Sequence, residues 1–405
     1  MADTDVKIYY GPPSWFHEQI GDDIKTKNLV TLVLRDDARR RELRVVGPEQ
    51  ENAPDEKVRR PKHVVAESSD YASLNEHVIT NFAQLVRAMR PRHLYVNNPP
   101  SRVHDQLQRA FKDTTTVHYD YPPFTTSTLQ KFRDDFSKHL IGQEAVREML
   151  LASMYPLARP GRMRPVVLMF YGPSGVGKTQ TAQFINGLLG GELLRKQFSM
   201  FHSEKFASYM FGGEHAEASL ARDLLDRESG VILIDEFDKA NPIFHSAFYE
   251  LFDTGEFVDK NYTVRVGPAL IICTSNYSSM DEIRDSLGDA LASRFDALIE
   301  FEHLSPDEVL TVIERTVDRR LAGLSVDEEP HVARDQLLDL LRPLAESSNN
   351  IRELGKTIEN VISILLVRSA LENTREPAPA TTPAEAEASV APTSTDDPGA
   401  MTPVR

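Results

Sequence analysis

Eight consecutive residues constrain this 405-residue chain more than any others: Gly172-Pro173-Ser174-Gly175-Val176-Gly177-Lys178-Thr179. They come directly after the apolar run Val166–Tyr171, which reads as a buried strand. Glycine has no Cβ, so the backbone N–H groups of such a turn can close around an anion. A helix opening at Lys178 would add its positive dipole end to the same point. Gly-x4-Gly-Lys-Thr between a strand and a helix is the spacing of a phosphate-binding loop. In it, the lysine reaches the β and γ phosphates and the threonine hydroxyl binds Mg²⁺. ATP and Mg²⁺ are therefore the expected ligands, with Gly172 to Thr179 as the cradle.

Two further apolar runs end in polar groups suited to the same phosphates. Val231-Ile232-Leu233-Ile234 leads into Asp235-Glu236. Asp235 is placed to hold Mg²⁺ and Glu236 to orient and deprotonate an attacking water. Ile271-Ile272-Cys273-Thr274-Ser275 ends at Asn276, an amide able to hold that water against Glu236. Near-continuous apolar strands at Val166–Tyr171, Val231–Asp235, Ala269–Thr274 and Ala297–Phe301 suit a parallel α/β sheet covered on both faces.

The chain divides around this core. Residues 1–120 carry the signs of a small α/β domain. Val30, Leu32 and Leu34 alternate like a strand, whereas Val78, Phe82, Leu85, Val86 and Met89 share a helical face. His93 to Val96 reads as a short strand closed by Asn97-Asn98-Pro99-Pro100. Tyr121-Pro122-Pro123 opens a linker over 121–134, and the large ATPase subdomain is expected over 135–303. Three amphipathic helical stretches beginning at Pro306, Arg334 and Ile351 form a small helical subdomain over 304–373. Ser305 with Glu308 three residues on is a capping box for the first. Residues 374–405, rich in Pro, Ala, Thr and Ser, are expected to form a disordered tail.

Net charge is −15, from 61 acidic against 46 basic residues. That balance argues against a nucleic-acid partner, although Arg39 to Arg44 and Lys57 to Lys62 are locally basic. One cysteine, Cys273, excludes an internal disulfide and a multi-cysteine zinc site. Met1 to Tyr10 lacks the apolar segment of a secretory signal, and no apolar run reaches membrane-spanning length. A cytoplasmic protein is expected.

On these residues the sequence resembles the AAA+ ATPases, and among them the Clp-type unfoldase branch. Asp235 to Ala240, Leu251 to Phe257 and Ile141 to Val146 carry the resemblance, which spans about 135–372. It implies a ring of identical subunits, expected to be a hexamer. Arg294, in Ser293-Arg294-Phe295-Asp296, matches the arginine finger that stabilises the transferring phosphoryl of a neighbouring subunit. Arg352 matches the arginine of the small domain that senses the γ-phosphate, although Asn350 stands where the family usually has Gly. The stretch Tyr209-Met210-Phe211-Gly212-Gly213 corresponds to the family's pore loop, with Phe211 as the better match for the gripping aromatic and Tyr209 second. It departs from the family pattern. The insertion by which such unfoldases dock a Clp peptidase is missing between Asn276 and Arg294, so no peptidase partner is expected.

Two alternative functions are expected from these features. One is a motor that remodels or unfolds protein clients recruited by residues 1–120. The other is an ATP-gated switch or scaffold that signals through that domain.

Overall fold

The computed structural model describes residues 4–21, 23–35, 60–200, 203–348 and 350–373. The basic residues Arg39 to Arg44, Lys57 and the expected tail 374–405 lie outside the described residues.

Two five-stranded parallel sheets organise the chain. The first holds β1 (Asp5–Tyr10), β2 (Lys27–Asn28), β3 (His63–Ala66), β4 (His93–Asn97) and β5 (Thr114–His118), in the order β2-β3-β4-β1-β5. Val6, Ile8, Val64, Leu94 and Val96 fill its core together with Phe82, Val86, Val103 and Leu107 from the helices. The expected N-terminal α/β domain is thus present, with two local corrections. Residues 29–35 are helical, not a strand. The pair that decides it is Leu29 and Val33, both buried and four residues apart, while Leu34 is left 60% exposed. The apolar face from Val78 to Met89 is likewise divided at Asn81 into helices Glu76–Thr80 and Phe82–Met89.

The second sheet contains β6 (Val166–Tyr171), β7 (Leu194–Gln197), β8 (Val231–Asp235), β11 (Leu270–Thr274) and β12 (Ala297–Glu300), ordered β12-β6-β11-β8-β7. All four pairings are parallel. Alternate residues serve opposite cores. Val167, Met169, Ile232, Ile234, Ile271 and Cys273 face one, and Leu168, Phe170, Val231, Leu233, Leu270 and Ile272 face the other. This is why these strands read as unbroken apolar runs. A two-stranded antiparallel ribbon, β9 (Glu256–Val258) with β10 (Thr263–Arg265), sits before β11.

The expected linker 121–134 is coil only as far as Thr125. Thr125 then caps a helix, Thr126–His139, whose Phe132 and Phe136 are buried in the ATPase core. The capping hydroxyls of Thr125 and Thr128 therefore end the linker about ten residues earlier than its composition implies.

Helices Pro306–Leu321, Arg334–Leu341 and Ile351–Asn373, with a short helix Leu344–Ser347, form a separate apolar cluster. Ser305 caps the first, and the Glu308 carboxylate accepts from the Ser305 backbone N–H at 2.7 Å, completing the capping box. Among the described residues no helix is long and apolar enough to cross a membrane.

Candidate functional site: an ATP-binding cleft

The phosphate loop is shaped as the glycine spacing requires. Gly172 has φ +121°, and a Cβ there would meet the carbonyl oxygen of Phe301 at 2.1 Å. Gly175 has φ +83°, and its Cβ would strike the Asn350 side chain at 2.2 Å. Both positions are closed to other residues. The helix Lys178–Leu189 starts at the end of the loop, with Gly177 as its N-cap.

Lys178 is buried and curls back over the loop. Its Nζ donates to the carbonyl oxygens of Gly172 at 2.6 Å and Pro173 at 2.7 Å, and to Asn276 Oδ1 at 3.3 Å. Burial pulls its pKa down to about 8. The Arg352 charge pulls the same way, while Asp238 and Asp235 oppose the shift. A buried ammonium bonded only to neutral oxygens is a ready partner for phosphate.

Strand ends supply the remaining groups. Asp235 closes β8, and its carboxylate accepts from Thr179 Oγ1 at 3.3 Å and, more closely, from Thr274 Oγ1. Glu236 adopts the left-handed conformation, φ 57° and ψ 47°, which is rare for a residue with a long side chain. Its backbone N–H is held by Thr274 Oγ1 at 3.0 Å. The strand therefore turns sharply between the two carboxylates, so that Asp235 is buried and Glu236 only half-buried.

Three groups at this site were not legible in the sequence. Arg195 on β7 donates Nε to Asp235 Oδ2 at 3.0 Å, and its terminal NH₂ group bonds the same oxygen. Thr274 bridges Asp235 and Glu236. Asp238 keeps one buried carboxylate oxygen without a hydrogen-bond partner and lies close enough to act on Lys178. The only signal for Arg195 is a basic residue in an edge strand, a pattern shared by most exposed strands.

The two arginines differ in placement. Arg352 is near enough for its charge to reach Lys178, and its backbone N–H donates to Asn350 Oδ1 at 3.0 Å. Arg294 makes its contacts elsewhere. Its Nε donates to Asp253 Oδ2 at 2.9 Å, its guanidinium lies 4.5 Å from the centre of the Tyr249 ring, and it bonds the Ala290 carbonyl.

Tyr209, the second candidate for the pore loop, is packed inward. It is 3% exposed, and its hydroxyl donates to Asp223 Oδ2 at 2.6 Å. A tyrosine held at both ring and hydroxyl belongs to the core. Phe211 is 46% exposed but ends the helix Ser203–Phe211 instead of riding a free loop. Its carbonyl accepts from Lys260 N–H at 2.9 Å, and its ring lies 5.9 Å from that of Phe244.

The donor set fits the expected ligands. Thr179 and Asp235 offer hard oxygens to Mg²⁺, which keeps several waters and takes its other ligands from phosphate. Bound there, the ion would neutralise charge on the β and γ phosphates. A cavity of about 130 Å³ continues from Gly175, Val176 and Gly177 to His139, Ile141 and Ile351, between the large and small subdomains. It offers a slot for the nucleoside end.

The parallel sheet, the phosphate loop and the acid pair at the end of β8 define an ATPase domain of the P-loop class. Residues 164–318 match the family described as AAA domain (Cdc48 subfamily). The ClpA homolog protein of Fuscovulum blasticum is 28% identical over 235 residues, covering 51% of this chain and 29% of that protein. Chaperone protein ClpB of Tropheryma whipplei is 27% identical over 286 residues, covering 60% of this chain and 39% of the relative. ClpE of Streptococcus pneumoniae, an ATP-dependent Clp protease ATP-binding subunit, is 24% identical, covering 72% and 43%. The chain thus spans less than half the length of these relatives. A solved structure titled as the closed state of Hsp104 with ATPγS and FITC casein shares the fold at TM-score 0.51 and 15% identity, covering 91% of this chain and 89% of that one. The chain carries an AAA ATPase domain and is a distant relative of the ClpA, ClpB and ClpE proteins.

Proposed function

We propose that this chain binds ATP with Mg²⁺ and hydrolyses it as a ring of identical subunits, six by resemblance, to remodel or unfold protein clients in the cytoplasm. The observation that carries the reading is the convergence of Lys178, Thr179, Asp235 and Asn276 within hydrogen-bonding reach, with Glu236 turned out beside them. In this reading Lys178 and the loop N–H groups hold the phosphates. Asp235 and Thr179 hold the metal, Glu236 takes the proton of the attacking water, and Asn276 orients it. Arg352 senses the γ-phosphate from the small subdomain. Arg294, engaged away from its own phosphate loop, is suited to serve the next subunit.

A second reading, an ATP-gated switch signalling through the N-terminal domain, is favoured by one observation. Phe211 is tethered to Lys260 and Tyr209 is buried, which leaves Phe211 alone to grip a threaded chain. No peptidase partner belongs to either reading.

Glu236→Gln tests both. With ATP it should bind nucleotide, lose turnover and hold an assembled ring that captures protein. Normal hydrolysis by this variant would remove Glu236 as the base. Client capture lost on adding Phe211→Ala supports the motor, and the same partners in both variants support the switch.

A further inference from the structure

In a parallel α/β sheet, ligands are bound in the crevice outside the carboxyl ends of the strands, where neighbouring connections leave in opposite directions. In the N-terminal domain that point lies between β1 and β4. The connection from β1 leads to β2 on one side, and that from β4 crosses to β5 on the other. The residues there are built for a polar guest. Asn98 has φ 43°, and its side chain is fixed by Gly11, whose N–H donates to Oδ1 at 3.0 Å and whose carbonyl accepts from Nδ2 at 2.8 Å. Asn97 also donates to the Gly11 carbonyl, at 3.1 Å, and its Oδ1 is buried without a partner. Asn97, Asn98 and Ser68 are all at most 2% exposed.

The crevice is filled by the other domain. Asp226, the last residue of the helix Leu220–Asp226, enters it from the ATPase domain. Asn98 Nδ2 donates to Asp226 Oδ1 at 2.6 Å, and Ser68 Oγ donates to Oδ2 at 2.9 Å. Arg222 stands 3.7 Å from the same carboxylate. Further contacts cross the seam, among them Ser14 Oγ to Glu228 at 2.8 Å and the Ser101 N–H to the Asn261 carbonyl at 2.8 Å.

From Asp226 the backbone runs straight to the catalytic strand. Arg227 is buried, with its guanidinium 3.9 Å above the Tyr121 ring and a bond to the Val266 carbonyl at 2.9 Å. Ser229 Oγ then accepts from Val231 N–H at 3.0 Å, where β8 begins. Tyr121 belongs to the linker from the N-terminal domain. A single short segment, 226–231, therefore joins that domain, its linker and the strand bearing Asp235 and Glu236.

We propose that the β1–β4 crevice is a carboxylate-reading site whose guest is Asp226 of the same chain, and that occupancy of this site by Asp226 is how the N-terminal domain sets the ATPase. A partner protein that displaces Asp226 from the crevice, or alters the domain's grip on it, shifts the segment leading into β8 and with it the strand end bearing Asp235 and Glu236, without touching nucleotide. The regulatory half of this inference rests on the ATP turnover proposed above; the docking half does not.

The test is a double-mutant cycle in the full chain, with Asn98→Ala, Asp226→Ala and the pair combined. Hydrogen exchange is monitored over 97–104 and 226–235, and ATP turnover alongside. Each single substitution is expected to raise exchange in both segments by about tenfold or more, as loss of a bond to a buried carboxylate should. The double variant should add little to either single one. Exchange confined to the substituted domain, or fully additive effects, would overturn the docking. Asp226→Asn keeps one acceptor for Asn98 but loses the charge and sets a donor NH₂ in place of the second oxygen, so a carboxylate-reading crevice should release it and raise exchange in both segments; full protection in this variant would overturn carboxylate reading, and if all variants stay closed the crevice is not the lock. Turnover should shift by the same factor in Asn98→Ala and Asp226→Ala. Opened segments with unchanged turnover would reduce the contact to a passive dock. An unaltered chain with no turnover at all would instead refute the ATPase reading and leave the exchange result to decide the docking.

Discussion

The buried lysine of the phosphate loop makes nucleotide affinity depend on pH in a calculable way. In the nucleotide-free chain Lys178 has its pKa lowered to about 8, chiefly by burial. A bound triphosphate favours the charged form and returns the pKa to its ordinary range near 10.4 or above. Binding therefore takes up a proton above pH 8, and affinity falls as pH rises. With a free-chain pKa of about 8, the dissociation constant should rise by a factor of about ten between pH 7 and pH 9, and about thirty by pH 9.5. The same group acts oppositely on the fold. Its folded pKa lies below the unfolded value, so the unfolded chain holds more protons between about pH 8 and 10.4. Through this group alone, the nucleotide-free chain gains stability across that window. The assay is fluorescent-nucleotide binding at fixed Mg²⁺ from pH 7 to 9.5. Arg352→Ala removes one of the charges depressing Lys178 and should move the fall in affinity to higher pH. Lys178→Arg, always charged, should bind more weakly with no slope. A wild-type dissociation constant that stays flat to pH 9.5, or an equal slope in Lys178→Arg, would refute the reasoning.

Two other substitutions probe groups around the phosphates. Arg195→Ala frees Asp235 Oδ2 from a cation that would compete with Mg²⁺ for this carboxylate. The Mg²⁺ concentration for half-maximal nucleotide binding should fall by about fivefold, near the upper end for a half-exposed pair, and a rise would mean that Arg195 positions Asp235 rather than competing for it. Arg294→Ala should bind ATP normally but lose turnover by about a hundredfold or more. Mixing it with Glu236→Gln subunits, whose own arginine is intact, should restore part of that loss, and absence of rescue counts against action between subunits.

Legibility in the sequence tracks burial symmetry. β6, β8 and β11 are covered on both faces, so nearly every residue is apolar and the strand announces itself. β7 is an edge strand of Leu194, Arg195, Lys196 and Gln197 with no fully buried residue, and no periodic signal marks it. The glycine loop was legible because its eight residues are contiguous, and Asp235 and Asn276 because each follows an apolar run that announces a buried strand. Arg195 reaches Asp235 only through the pairing of β7 with β8, a contact of tertiary origin. Leu29 to Leu34 misled because five apolar residues in six satisfy both the twofold and the helical period. The burial of Tyr209 was not legible because it comes from tertiary packing, with a hydroxyl partner, Asp223, on another helix.

The helix Thr126–His139 bears on how this chain can be shortened. A fragment started at the composition boundary near 135 would lose most of that helix, including Phe132, and leave Phe136 without its neighbour. Both rings are at most 1% exposed, and Phe132 lies 5.5 Å from Phe184 of the phosphate-loop helix. Stripping one such ring from its site uncovers apolar surface worth about 1.5–3 kcal/mol, directly behind the helix that carries Lys178. Such a fragment would be poorly soluble and prone to clump, and its weak nucleotide binding would be mistaken for a need for the N-terminal domain. A cut ahead of Tyr121 keeps both this helix and the ring that covers Arg227, and only then does removal of the N-terminal domain report on that domain.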